Sequence, residues 1–249
     1  MELLGPENDA KIHKKAVNTV IKGTGQEFLN SREFLTWVDG PSQTLFCPGS
    51  PGVGKTMMTS IAIDKVRLHF SDDPEIGIAS LYLGDDESNQ PRKNEMESCV
   101  RRLLRQFVVC GKEKYDLPSL WALVDEHSVV GAMPHYEELR KALHTVMRNF
   151  RRTYIFIDSL NVLNSLGEIM AMFHSFQVDL GTNMFYTSRP EPSVEKFFTD
   201  VPALTIRPTT EDVLRVLDAE MKKMPDGMRL DPELQLQIKA MVTDGVDGM

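Results

Sequence analysis

The sequence lacks the features of a membrane or secreted protein. Its apolar runs fall short of the roughly 18 residues that a membrane-spanning helix requires, and its first residues, MELLGPENDAKIHKK, contain no apolar signal core. Cysteine is scarce: Cys47, Cys99 and Cys110 cannot all pair, and none lies in a CxxC motif. We therefore expect a cytoplasmic protein with buried, reduced thiols, no disulfide framework and no membrane partner.

An excess of basic residues is also missing. The 28 lysine and arginine residues are outnumbered by 36 aspartate and glutamate residues, so the formal net charge is -8 at pH 7. Proteins that bind nucleic acid usually present a basic surface to its phosphates, and this charge therefore argues against a nucleic-acid partner. We interpret the local basic clusters at 101–105 and 148–152 as solvated faces or helix ends, and the alternative is a binding patch.

What the sequence does contain is an alternation of short apolar strands with longer helical patterns. Parallel strands need a long crossover connection, usually a helix, and this alternation therefore predicts an α/β fold with a parallel sheet. The predicted strands are 44–47, 76–83, 153–157, 183–188 and 204–207.

The pattern changes to helices only beyond Pro208. Thr209 is a favourable capping residue for one helix, and Asp231 followed by Pro232 is a favourable start for another. We predict three segments: a helical lead-in over 1–40, an α/β core over 41–208 and the start of a helical subdomain over 209–249.

One segment matches the phosphate-loop pattern G-x-x-x-x-G-K-[ST] at every required position: Gly49, Ser50, Pro51, Gly52, Val53, Gly54, Lys55 and Thr56. The glycines let successive N–H groups turn toward one anion, and the helix that starts near Lys55 adds its positive end. Lys55 is expected to contact the β and γ phosphates. A chance glycine-rich turn is the alternative, but the predicted strand before the loop and helix after it favour nucleotide binding.

A magnesium site is predicted opposite this loop. The apolar strand YIFI, residues 154–157, ends in Asp158, 103 residues after Lys55. A carboxylate at that position suits a magnesium ion, held directly or through water, with the Thr56 hydroxyl as a second ligand. A single aspartate after an apolar strand is a weak signal alone, and it gains weight from the phosphate loop upstream.

The residues after Asp158 predict slow hydrolysis. Asn161 and Val162 stand where an NTP-hydrolysing site usually places an acid. An amide can orient a water molecule but cannot accept its proton, and valine can do neither. The alternative is that an acid from the end of the second strand reaches the site, and the candidates there are Asp85, Asp86 and Glu87.

Arg189 is the candidate sensor of the γ-phosphate. It follows the fourth predicted strand in the run TSRP, residues 187–190. Ligands of open parallel sheets bind at the carboxyl ends of the strands, which is where Arg189 and the phosphate loop both fall. The alternative is an ordinary surface arginine.

Three stretches, GTGQEFLNSREFLTWVDGPSQTLFCPGSPGVGKT, YIFIDSLNVL and NMFYTSRP, resemble the NACHT domains of fungal NOD-like receptor and ankyrin-repeat proteins. These domains belong to the STAND class of signal-transducing P-loop NTPases and are similar to the nephrocystin-3-like N-terminal domain. The resemblance implies a three-layer P-loop sandwich with a five-stranded parallel sheet, in which the sensor strand lies between the phosphate-loop strand and the magnesium strand. It also implies ATP or ADP with Mg²⁺ as cofactors.

The resemblance further implies a switch that rests with ADP and opens and forms homo-oligomers with ATP. In such receptors a winged helix and a repeat array follow the core, so we expect the helical subdomain to be truncated before a winged helix and protein partners to act through flanking domains. We interpret the chain as a nucleotide-binding signalling switch or scaffold. The alternatives are an active NTPase, a small-molecule kinase and a nucleotide-free interaction module. The kinase is disfavoured because 111–135 contains no arginine for a mobile lid. The nucleotide-free module is disfavoured because the phosphate loop is intact.

Overall fold

The structure is a computed structural model, and it describes residues 8–84, 94–111, 134–225 and 230–246. The strands are β1 Thr44–Pro48, β2 Ile76–Tyr82, β3 Arg152–Asp158 and β4 Asn183–Ser188. The helices of the described residues are α1 Asn8–Thr19, α2 Gln26–Leu29, α3 Arg32–Asp39, α4 Lys55–His69, α5 Glu95–Gly111, α6 Tyr136–Met147, α7 Leu166–Leu180, α8 Pro192–Glu195, α9 Thr210–Lys223 and α10 Pro232–Val246, with a 3-10 turn at Leu160–Val162.

The strands form one parallel sheet in the order β1-β4-β3-β2. This confirms the predicted α/β class and the predicted place of the sensor strand β4, between β1 and β3. The register pairs Pro48 with Ser188 and Tyr82 with Asp158. The carboxyl ends of the strands therefore meet along one edge of the sheet, which carries the phosphate loop, Asp158 and Arg189.

The sheet of the described residues has four strands, and not the five predicted. The predicted fifth strand, Leu204–Arg207, does run beside β1: the N–H of Leu204 donates to the carbonyl of Phe46 at 2.9 Å. The N–H of Ile206 likewise donates to the carbonyl of Pro48 at 2.7 Å. The pairing stops at one isolated bridge, between Phe46 and Ala203, because Pro48 has no N–H with which to close the next bridge of a ladder.

Helices cover both faces of the sheet, as in the predicted three-layer arrangement. Alternate residues of each strand face opposite sides, so each strand contributes to two cores. One core, under α5, α6 and α7, includes Leu103, Phe107, Leu143, Ile155 and Phe173. The other core, under α3 and α4, includes Phe34, Trp37, Ile63, Tyr154 and Phe156.

The free edge of β2 is covered by side chains. Asp9 of α1 accepts a hydrogen bond from the N–H of Tyr82 at 2.9 Å, and Gln106 of α5 both accepts from and donates to the backbone of Ser80, at 2.9 and 2.7 Å. Arg102 donates to the buried Asp9 at 2.8 Å. The interpretation of the basic cluster at 101–105 as a solvated face is therefore wrong for Arg102, because a buried carboxylate needs a charged partner.

The predicted helix starts beyond the core are confirmed. The Thr209 hydroxyl accepts from the N–H of Asp212 at 3.0 Å, and Asp231 accepts from the N–H of Leu234 at 2.9 Å. These caps begin α9 and α10, which contact each other. No residue of α9 is buried, so this helix is attached to the core far more loosely than α4 or α5.

The cysteine prediction is confirmed in part. Cys47 and Cys99 are buried thiols, whereas Cys110, near the end of α5, is an exposed thiol. No helix within the described ranges combines the length and the apolarity that crossing a bilayer requires.

Candidate functional site

The predicted phosphate loop connects β1 to α4. Gly52 and Gly54 have φ angles of 83° and 90°, a left-handed conformation that side chains other than hydrogen make costly. Ser50 and Pro51 lie exposed at the tip of the loop, and Val53 is half-buried. Helix α4 begins directly after Gly54, so the unpaired N–H groups of its first turn open onto the loop.

The start of the loop is pressed against its neighbours. The N–H of Gly49 donates to the carbonyl of Ser188 at 3.0 Å. A Cβ atom on Gly49 would lie 2.8 Å from the carbonyl oxygen of Ile206, closer than any side chain tolerates. Glycine is therefore required here for close packing, and the loop is fixed to both β4 and the segment beside β1.

The Lys55 side chain spans the loop. Its Nζ donates to the carbonyls of Gly49 and Ser50 at 2.9 and 3.0 Å, which occupies two of the three ammonium protons. Burial lowers the pKa of Lys55, Asp158 opposes this shift and Arg189 adds to it. The structure thus brings three predicted site residues, Lys55, Asp158 and Arg189, within electrostatic reach of one another.

Asp158 ends β3 and is only 2% exposed. Its Oδ2 accepts from the Thr56 hydroxyl at 2.7 Å. Its Oδ1 accepts from the Thr187 hydroxyl at 2.6 Å and lies 3.2 Å from the Thr59 hydroxyl. The two predicted metal ligands are therefore in direct contact, and two further threonines, which sequence reasoning missed, hold the same carboxylate.

The donor set at this edge fits magnesium. Mg²⁺ prefers oxygen ligands and is usually held by one or two carboxylates, with waters and substrate phosphates completing its shell. The Asp158 carboxylate and the Thr56 hydroxyl are such ligands, and they lie beside the phosphate loop. Within the described residues no group of three or more His, Cys, Asp or Glu residues is placed to hold a metal, so an ion here depends on phosphate oxygens and water.

The residues after Asp158 have different surroundings. The Asn161 side-chain oxygen accepts from the backbone N–H of Arg189 at 3.2 Å, so Asn161 lies at the ligand edge beside the predicted sensor, whose side chain is exposed. Val162 packs against the core cluster under α5 to α7. The alternative acids at 85–87 lie outside the described residues.

A cavity of about 330 Å³ lies beside α4, and no pattern in the sequence indicates it. Met58, one turn into α4, forms part of its wall, and so does the segment that packs on Gly49. The N–H of Gly25 donates to Asp212 at 3.0 Å and joins the lead-in to α9 beside it. The lining residues are Glu27, Phe28, Ser31, Met58, Leu204, Thr205, Arg207, Thr209 and Asp212.

Solved structures resemble the chain in fold. Orc1 of Aeropyrum pernix, in complex with DNA, is 12% identical and superposes with a TM-score of 0.52 over 97% of this chain and 58% of that chain. The replication initiator DnaA, bound to AMPPCP and single-stranded DNA, is 12% identical with a TM-score of 0.46 over 93% of this chain and 63% of that chain. At such identity the Orc1 similarity shows a shared P-loop fold only, and this chain spans 58% of the length of that protein.

No curated protein matches the chain. Residues 23–189 match the family described as Nephrocystin 3, N-terminal. This range covers more than half of the chain and contains the phosphate loop, Asp158 and Arg189. With the parallel sheet and the phosphate loop in place, the chain belongs to the Nephrocystin 3, N-terminal family, a NACHT-like group of P-loop nucleotide-binding domains.

Proposed function

We propose that this protein is a nucleotide-binding switch or scaffold of the STAND type, which holds ATP or ADP with Mg²⁺ and hydrolyses ATP slowly. The observation that carries the proposal is the contact of Thr56 with Asp158, 2.7 Å between oxygens, beside a phosphate loop spanned by Lys55. Every group that phosphate binding requires is thus collected at one edge of the sheet.

The phosphate half of the site is the loop over 49–56 with Asp158 and Arg189. The N–H groups of the loop and the first turn of α4 favour an anion. Lys55 has one ammonium proton beyond its two loop carbonyls for a phosphate oxygen. Magnesium, held by Thr56 and Asp158, would neutralise charge on the phosphate oxygens, and the exposed Arg189 is placed to sense a γ-phosphate.

The base half is the cavity beside α4. Its volume of about 330 Å³ lies at the lower end of the range for small-ligand sites. Phe28, Met58 and Leu204 offer apolar surface for a ring, while Glu27 and Asp212 offer carboxylates to amino or hydroxyl groups. The preference for adenine nucleotides follows from the family resemblance.

We expect slow hydrolysis because Asn161 lies at the ligand edge where an acid is usual, and an amide cannot accept a proton from water. The alternative acids at 85–87 lie outside the described residues. The Asp158 carboxylate is engaged by Thr56 and Thr187. Bound ATP would therefore persist long enough for its presence, and not its turnover, to carry the signal.

The switch itself would act through α9. Asp212, in the first turn of α9, lines the cavity and accepts a hydrogen bond from the N–H of Gly25. A ligand in the cavity would therefore directly affect the contact that holds α9. The family resemblance supports protein partners through flanking domains, homo-oligomers with ATP and a cytoplasmic location. Orc1 and DnaA bind DNA, but the net charge of -8 argues against transferring that property to this chain.

Calorimetric titration with ATP and ADP, with and without magnesium, together with a single-turnover hydrolysis assay, tests the proposal. We expect both nucleotides to bind, magnesium to tighten ATP, and hydrolysis to run on the order of 10⁻³ s⁻¹ or slower, like P-loop proteins that lack a completing catalytic group. No binding of either nucleotide would overturn the proposal. A rate of about 1 s⁻¹ would overturn its slow-hydrolysis part alone.

A further inference from the structure

The carboxylate of Asp158 is held from opposite sides by hydroxyl groups. Thr56, in the first turn of α4, donates to Oδ2 at 2.7 Å. Thr187, near the end of β4, donates to Oδ1 at 2.6 Å. Thr59 lies 3.2 Å from the same Oδ1. The two oxygens are therefore not equivalent, because one faces the phosphate loop and the other faces hydroxyls that are fully buried between α4 and the sheet.

Of the two hydroxyl groups near Oδ1, that of Thr187 makes the stronger hydrogen bond. A hydroxyl has one proton, and that of Thr59 is shared with the carbonyl of Lys55, 3.0 Å away. The Thr187 oxygen instead accepts from the N–H of Ser159 at 3.0 Å, so its proton is directed to Asp158. Thr187 satisfies one donor and one acceptor in the interior of the sheet.

The same hydroxyl fixes the turn that follows Asp158. Ser159 has a φ of 66°, a left-handed conformation that is uncommon for a residue with a side chain and that persists where surrounding structure holds it. Its N–H is bound by Thr187. Thr187 thereby orients the carboxylate and the backbone on its carboxyl side together.

We infer that Thr187 is a positioning residue for magnesium: by holding Oδ1 of Asp158 and the N–H of Ser159, it turns Oδ2 toward Thr56 and sets how tightly the nucleotide complex holds the ion. The inference rests on the proposed nucleotide function. Thr187 is not itself a ligand, since its hydroxyl already accepts from the N–H of Ser159 and donates to Oδ1 of Asp158. It acts as the outer partner that orients a metal-binding carboxylate, and loss of such partners typically weakens metal affinity 10–100-fold.

The test is a magnesium titration of the complex with a non-hydrolysable ATP analogue, in the wild type, Thr187→Val and Thr187→Ser. Valine removes the hydroxyl at nearly equal volume, and serine retains it. We expect Thr187→Val to raise the magnesium concentration at half-saturation about tenfold or more, while its affinity for the magnesium-free analogue stays within about twofold. Thr187→Ser is expected to titrate close to wild type.

Hydrogen exchange of the Ser159 amide in the nucleotide-free protein gives a readout that needs neither metal nor activity. The exchange is expected to accelerate in Thr187→Val and to remain slow in Thr187→Ser, because only valine leaves that N–H without its acceptor. If Thr187→Val melts below the temperature of the titration, Thr187→Cys takes its place, and its weakly donating thiol predicts an intermediate magnesium shift.

The outcomes separate this inference from the proposed function. A wild-type magnesium dependence in Thr187→Val, with Lys55→Ala abolishing binding, overturns the role of Thr187 and leaves the nucleotide site standing. Equal losses of magnesium-free and magnesium-dependent binding in Thr187→Val also overturn it, because they show general damage. A wild type that binds no nucleotide overturns both.

Discussion

The two halves of the proposed nucleotide site are built in different ways. The phosphate half comes from one continuous segment, 49–56, and from Asp158 at the end of β3. Its contacts are hydrogen bonds between partly or fully buried groups. The base half is assembled from the lead-in, α4, the segment beside β1 and α9. None of the residues of α9 is buried.

This difference in construction indicates that the two halves have different roles. Groups that are hydrogen-bonded to one another hold a fixed geometry, which suits tight and unselective binding of phosphate. A cavity wall that is formed partly by a loosely packed helix needs less free energy to open, because elements with few buried contacts open locally at low free energy. We infer that the phosphate half supplies affinity and that the base half, through α9, converts occupancy into a change of conformation.

Lys55→Ala is expected to have the largest effect. It removes the ammonium that faces the phosphates, and loss of a charge-assisted contact to a multiply charged ligand is expected to weaken binding of ATP and of inorganic tripolyphosphate by at least about a hundredfold. Calorimetry measures both. Lys65→Ala, in the same helix and away from the loop, is the control and is expected to bind as wild type. Retained tripolyphosphate binding in Lys55→Ala would place the phosphates elsewhere.

Asn161→Asp is expected to raise the single-turnover rate of ATP hydrolysis about tenfold, because it supplies a carboxylate at the ligand edge while preserving an acceptor for the N–H of Arg189. The variant changes this residue alone, since Val162 packs into the core and an acid there would cost stability. Asn161→Ser, which provides no base, serves as the control. Equal rates in the two variants would move the cause of slow hydrolysis away from this position.

Asp212→Ala is expected to have a smaller and more selective effect. It removes a cavity carboxylate and the acceptor of the Gly25 N–H, so ATP affinity is expected to fall about threefold to tenfold, the weight of one hydrogen bond. Tripolyphosphate, which has no base, is expected to bind unchanged. Glu211→Ala, in the same first turn of α9 but outside the cavity, is the matched control. A parallel loss of tripolyphosphate binding would show that the two halves are not separable.

The phosphate half could be predicted from the sequence because its geometry is local. Glycines that permit left-handed turns, a lysine and a threonine at fixed spacing, and an apolar strand ending in an acid each leave a short-range pattern. The cavity leaves no such pattern in the sequence, since Phe28 and Asp212 are brought together only by packing. The role of Thr187 could not be predicted from the sequence either, because it depends on the pairing of β3 with β4.

The failures in the fold have equally specific causes. The apolar pattern at 204–207 is that of a strand, but completion of its ladder depends on Pro48, on the neighbouring strand, which lacks the necessary N–H. From the sequence Arg102 is expected at the surface, but in the fold α1 packs so that the buried Asp9 lies beside it. Leu35 is apolar and yet 41% exposed, whereas Trp37, two residues later, fills the core. In each case the deciding partner lies far away in the chain.

The most direct measurement is a crystal structure of the protein with magnesium and a non-hydrolysable ATP analogue. We expect phosphates against the N–H groups of 52–56, the ion beside Thr56 and Oδ2 of Asp158, and the base in the cavity between Phe28 and Asp212. An empty phosphate loop at saturating analogue, or an analogue bound with its phosphates away from Lys55, would rule out the proposed site.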